Sequence, residues 1–226
     1  MRASVVALLL LGGPTLAAAQ LCVGNTAFEL SGLQSGANID KDKLSQLYAL
    51  EFRVSYRDLV AAADFGLKTW EVTSLAGTSR SLGLTLGLHS PRRHHTKFGV
   101  CPLIHFRAIW GPNEIGGSTF GYSETSVAGE LSAGYLLARS RLWDIVPTAA
   151  LRAETGNPAL TSSDGETIAQ YQDFCCGRRS YTTLRLGVGL GFSDEVTLLP
   201  EIGLPLGGAG RKTYAIRATL RLGKGI

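Results

Sequence analysis

Hydrophobic and polar positions alternate along this chain with a period of two. In "YALEFRVSYR", Tyr48, Leu50, Phe52, Val54 and Tyr56 alternate with Ala49, Glu51, Arg53, Ser55 and Arg57. "RSLGLTLGLH" sets Leu82, Leu84, Leu86 and Leu88 against Ser81, Gly83, Thr85, Gly87 and His89. The pattern returns in "TLRLGVGLGF" (183–192) and "YAIRATLRL" (214–222), and more weakly over 26–34, 59–69, 98–109, 126–137, 143–153 and 196–206. Such a period puts successive side chains on opposite faces of an extended strand. It predicts an all-β chain of about ten strands, eight being the alternative, with no amphipathic helix between them.

The content of the two phases decides which face is inside. The apolar phase is almost free of charge. The polar phase carries Glu29, Glu51, Arg53, Asp64, His105, Arg107, Glu130, Asp144, Arg152, Arg185, Glu201, Arg217 and Arg221, among many Gly, Ser and Thr. A soluble ligand-binding barrel needs the reverse, an apolar lumen and a charged exterior. Strands of about 9–12 residues are long enough to cross a bilayer when tilted, and backbone groups in lipid must all be paired, which forces the sheet to close. The expected fold is therefore a closed antiparallel up-and-down transmembrane β-barrel with its greasy face outward.

The links between strands add a direction. Short ones fall at Arg57–Asp58, "ARSRL" (138–142) and "SDE" (193–195), with a modest basic one at "SPRRHHTK" (90–97). Longer ones are expected at 35–46, 70–79, 111–125 and 154–180, and "GGAGRK" (207–212) is a short exception. Short turns on one side and long loops on the other are the outer-membrane pattern, the short turns being periplasmic. Aromatic residues fall near strand ends. Tyr48, Trp70, Trp110, Tyr181 and Tyr214 would mark the outer interface, and Tyr56, Phe98, Tyr135, Trp143 and Phe192 the inner one.

The first residues, "MRASVVALLLLGGPTLAAAQ", read as a secretory signal peptide over 1–19, leaving 20–226 as one barrel domain. Gly12, Gly13 and Pro14 interrupt an apolar run too short for a membrane anchor, and a lipoprotein signal at Cys22 is the other alternative. The formal charge of +4 is too small an excess to imply nucleic acid. Cys22, Cys101, Cys175 and Cys176 would stand in an oxidising compartment. Cys22 and Cys101 both fall near the periplasmic rim and form a possible disulfide, although sequence alone does not fix the pairing.

With these strands and links, the chain resembles the small outer-membrane β-barrel superfamily of Gram-negative bacteria, in particular opacity-protein and OmpA-type barrel domains. The resemblance covers nearly all of residues 20–226. It implies a non-enzymatic barrel with a structural or surface-interaction role through its outer loops. The implied partners are outer-membrane lipid and lipopolysaccharide, the barrel-assembly machinery and an unknown surface ligand. Members usually finish on an aromatic residue, whereas this chain ends "RLGKGI" on Ile226.

No cofactor is expected, and neither a catalytic nor a metal site. "GGAGRKT" lacks the Gly that a phosphate-binding loop places directly before Lys-Thr, and no helix follows it. His94 and His95 are adjacent on a basic turn and supply too few converging ligands for a metal. No His stands beside an Asp at the expected outer strand ends, as it does in omptin proteases, and there is no lipid-facing His–Ser set as in lipid A deacylases. What remains is a lumen charge network of Glu51, Arg53, Asp64, Arg107, Glu130, Arg152, Arg185, Glu201, Arg217 and Arg221. It would plug a narrow barrel, with a small pore for small solutes as the alternative and a lipid-acting enzyme or protease as the second. The protein should fractionate with outer membranes and run faster on gels unboiled than boiled; recovery as a soluble periplasmic protein would contradict the membrane reading.

Overall fold

The computed structural model describes residues 31–56, 59–70, 77–88, 97–111, 114–115, 118–140, 143–162, 179–192, 195–208 and 210–222. The expected signal peptide, Cys22, Glu29, His89, His94, His95, Cys175, Cys176 and Ile226 lie outside them. The strands are β1 (Ser31–Lys41), β2 (Ser45–Tyr56), β3 (Leu59–Trp70), β4 (Gly77–Leu88), β5 (Phe98–Trp110) and β6 (Glu114–Ile115), then β7 (Ser118–Tyr135), β8 (Ala138–Arg139), β9 (Trp143–Ser162), β10 (Arg179–Phe192), β11 (Val196–Gly208) and β12 (Thr213–Arg221). Consecutive long strands pair antiparallel, β7 pairs with β9, and β1 closes the ladder on β12. The two-residue β6 and β8 only extend the sheet beside β7 and β9. The result is a closed up-and-down barrel of ten long strands.

The greasy face points outward. Leu50 is 60 % exposed and Arg53, on the other phase of β2, only 5 %. Leu82, Leu84, Leu86 and Leu88 of β4 are likewise exposed, whereas Ser79 and Ser81 are buried. In water such an inversion would leave a belt of leucine, valine and phenylalanine unsatisfied; in lipid it is the favourable arrangement. The start of β1 lies against the end of β12, at Gln34↔Arg221, so the two ends of the barrel sequence share one rim. Tyr56, Phe98, Tyr135, Trp143 and Phe192 stand exposed near that rim, and Tyr48, Trp110 and Tyr214 near the other.

Two aromatic assignments are corrected. Trp70 and Tyr181 share the phase of Lys68 and Arg185, so they turn into the lumen mouth instead of joining the exterior girdle. An aromatic near a strand end marks the lipid interface only when its phase also points outward.

Strand limits are corrected as well. The first strand continues to Lys41 instead of ending at 34 (residues 26–30 of the expected strand lie outside the described residues), so the expected 35–46 loop shrinks to a turn at 42–44. Asp42 holds that turn: its Oδ1 accepts from the N–H groups of Leu44 (2.6 Å) and Ser45 (2.8 Å). β7 already begins at Ser118 and β9 runs on to Ser162, which removes most of the expected 111–125 loop and the first part of 154–180. Pairing continues through Phe120↔Ser162, among residues with no apolar phase. Beyond the lipid a ladder keeps its hydrogen bonds without needing a greasy face, so periodicity cannot see it. The one long link left by these strand limits is 163–178.

Leu86→Arg, at mid-strand on the exterior, should cost about 2–4 kcal/mol of folding free energy in lipid vesicles, against about 0–1 kcal/mol for Leu88→Arg at the strand end. Urea titration of the vesicle-inserted protein measures both, and equal costs would mean that this face does not meet hydrocarbon.

Candidate functional site

Three of the inward carboxylates have a glycine directly across the ladder. Glu51 pairs with Gly36, Asp64 with Gly83, and Glu201 with Gly187. A Cβ on Gly83 would run into the Asp64 carboxylate, and one on Gly187 would stand 2.9 Å from Glu201 Cγ. Gly83 of "SLGLTLGL" and Gly187 of "LGVGLG" therefore make room for acidic side chains to lie across the neighbouring strand. The same register sets Glu51 directly opposite Asp64. Two like charges facing each other repel unless cations intervene.

The cations are there. Arg53 donates from NH2 to Glu51 Oε1 at 2.6 Å, and Arg107 from NH2 to Asp64 Oδ1 at 3.3 Å. Glu130 is the central node: its Oε2 lies 3.4 Å from His105 Nε2, 3.4 Å from Arg185 NH1 and 3.8 Å from Arg152 NH1. Arg185 also reaches Glu201 at 2.8 Å, and Glu201 lies 3.6 Å from Arg217. Arg152 binds Glu154 through both NH2 (2.8 Å) and Nε (2.9 Å). The Glu130 side chain is 6 % exposed. A charge so enclosed costs several kcal/mol unless it is paired, and here Glu130 and Glu201 each meet two arginines.

Nine of the expected lumen residues thus line one mid-barrel cavity of about 60 Å³: Glu51, Arg53, Asp64, Arg107, Glu130, Arg152, Arg185, Glu201 and Arg217. Arg221 does not join them. It sits at the terminal rim, across from Gln34. Asp144, near the same rim, pairs with Arg139 at 3.5 Å. His105 completes the node, its Nδ1 2.9 Å from Thr85 Oγ1. Cys101, fully buried on the inward face of β5, is disulfide-bonded to a partner outside the described residues. Among the described residues no three His, Cys, Asp or Glu side chains converge as metal ligands.

Above the lattice, at the rim away from the termini, a second cavity of about 160 Å³ is bounded by Asp40, Asp42, Lys68, Glu124, Glu154 and Tyr181, and floored by Arg107, Arg152 and Arg185. Lys68 Nζ stands 4.1 Å from the Trp70 ring centroid and 3.8 Å from Glu124. Tyr122 donates to Glu124 at 2.8 Å and meets Trp70 edge to face at 5.2 Å, across the two intervening strands. The Trp70 indole N–H donates to Ser79 Oγ at 2.8 Å, and Ser79 donates in turn to the carbonyl of Gly111. Gly111, at a φ of 85°, adopts a left-handed turn that a side chain would strain, and its N–H donates to Tyr122. This collar was hidden in the sequence because its members lie on the polar phase beyond the recognisable alternation.

No family model matches the sequence, and no curated protein does. Solved structures resemble it loosely. The β domain of the Bordetella autotransporter BrkA is 12 % identical at a TM-score of 0.45, over 87 % of this chain and 100 % of that one. The translocator domain of the autotransporter NalP from Neisseria meningitidis is 12 % identical at a TM-score of 0.44, over 84 % and 87 %. CdiB from Acinetobacter baumannii is 11 % identical at a TM-score of 0.40; 84 % of this chain is matched, spanning 35 % of CdiB.

Arg185→Met should destabilise the barrel by roughly 3–5 kcal/mol, because it strips a cation from both Glu130 and Glu201. Adding Glu201→Gln should recover part of the loss by removing one uncompensated carboxylate. Urea unfolding of the two variants checks this, and a double variant less stable than Arg185→Met would contradict the pairing scheme.

Proposed function

We propose that this chain is a non-enzymatic outer-membrane β-barrel with a plugged lumen, acting structurally or through surface contacts at its loop end. The observation that carries the reading is the Glu130 node. Side chains from β5, β7, β9 and β10 meet there, β11 and β12 join through Glu201 and Arg217, and a cavity of only about 60 Å³ is left among them. A hydrated solute cannot cross such a section without breaking several buried ion pairs. The outer-membrane location rests on the apolar exterior, the closed ladder and the signal-like first residues. The opacity-protein and OmpA-type role rests on the sequence resemblance, with the 163–178 link and the long β7–β9 ribbon as the contact surface.

The non-enzymatic part rests on occupancy. Glu124 is tied to Lys68, Glu154 to Arg152, and His105 is held between Thr85 and Glu130 below the mouth. None of these forms an acid–base couple open to a substrate.

Planar-bilayer recording tests the plug. The refolded protein should give no discrete conductance steps, and Glu130→Ala with Arg152→Ala and Arg185→Ala should open them. Stable steps from the unmodified protein would favour the pore.

A further inference from the structure

The lumen changes character on the terminal side of the charge network. Inward positions there are held by Val60 on β3, Cys101 and Leu103 on β5, Val146 on β9 and Leu199 on β11. On each strand they come between the terminal rim and the network residue of the same phase: Asp64, Arg107, Arg152 and Glu201. None is more than 5 % exposed, and Cys101 and Val146 are fully buried. Val60 and Leu103 bound the mid-barrel cavity from that side. Side chains as short as valine and cysteine do not meet across ten strands. Their burial calls for an apolar body inside the terminal mouth.

Cys101 shows which body that is. It is disulfide-bonded outside the described residues, and the other cysteines are Cys22, Cys175 and Cys176. Arg179, which follows the loop cysteines, shares a ladder row with Gly156, Ser126 and Arg107. Cys101 lies six residues down β5 from that row and three strands across, roughly 24 Å in the plane of the sheet. From Arg179 back to Cys175 the chain extends at most about 14 Å, and a disulfide adds about 6 Å between Cα atoms. Neither loop cysteine reaches. Ser31 instead shares its row with Tyr56, Leu59 and Leu88, and the next row is Gly87↔Leu103. Cys101 is thus about 20 Å from Ser31 along the wall. The nine residues from Cys22 to Ser31 span up to about 30 Å.

We propose that the segment from Cys22 to Leu30, "CVGNTAFEL", turns back into the barrel and stoppers its terminal mouth. A Cys22–Cys101 disulfide pins it, and Val23 and Phe28 supply the apolar body that packs on the ring. Ser31 already stands at that rim, so the segment enters the lumen without crossing the wall. The stopper closes with hydrocarbon the same passage that the Glu130 node closes with charge. Its latch is reversible. A dithiol reductant cleaves the S–S bond, leaving two thiols on the protein and one disulfide on the reductant, and frees the segment.

The test is limited proteolysis of the refolded protein in micelles with subtilisin, read by peptide mass. Without reductant the mapped cross-link should be Cys22–Cys101, and the bonds from Val23 to Leu30 should resist. With a dithiol, or in Cys22→Ser, they should be cut on the order of tenfold faster or more, because cleavage follows the opened population. Phe28→Asp keeps the cross-link and should show a similar gain, since its side chain no longer packs on the ring. The Glu130→Ala, Arg152→Ala, Arg185→Ala variant should give larger conductance steps after reduction than before. A fast-migrating unboiled band in every sample shows that the barrel itself is intact. A cross-link from Cys101 to Cys175 or Cys176, or equal cutting with and without reductant, would overturn the stopper and leave the ion-pair plug standing.

Discussion

Every backbone N–H and C=O of this chain that crosses lipid must find its partner within the sheet, because hydrocarbon offers none. That constraint closes β1 onto β12 and so gives every strand two neighbours. A closed sheet has one convex and one concave face, and period-two alternation commits each residue to one of them. A slip of one residue would send Arg185 into lipid and Leu186 into the lumen, so the alternation also pins the register.

The concave face then raises its own problem. Charges from nine of the ten long strands meet in a narrow space with little water, and unpaired charges there are costly. The solution joins residues far apart in sequence: Glu130 takes Arg152 from the next long strand and Arg185 from the one after. Glycine contributes by absence. Gly36, Gly83 and Gly187 each stand across from an acid, and at Gly83 and Gly187 the space left by the missing Cβ is taken by the Asp64 carboxylate and the Glu201 side chain. Arginine suits these positions because its planar fork bonds two carboxylates at once, as Arg185 does with Glu130 and Glu201.

Toward the loop end the lattice opens into a mouth whose aromatic collar faces inward, while a different set of aromatics faces the membrane. Trp70 and Tyr122 narrow the opening, and Tyr214 and Trp110 meet lipid at the same end. Both sets come from strand ends, and only their phase separates them. The barrel thus has a filled centre and, above it, a polar vestibule.

The sequence by itself determined the all-β class, the strand number near ten, the outward greasy face and the inward position of Glu51, Arg53, Asp64, Arg107, Glu130, Arg152, Arg185, Glu201, Arg217 and Arg221. All of these follow from a local, period-two signal that the membrane enforces at each strand. It did not determine where β1, β7 and β9 end, because above the lipid a ladder needs no apolar phase. Nor did it reveal that Trp70 and Tyr181 turn inward, or that Arg221 stands apart from the other nine. Which carboxylate meets which arginine depends on the stagger between strands that are distant in sequence, and that stagger is set only when the barrel closes.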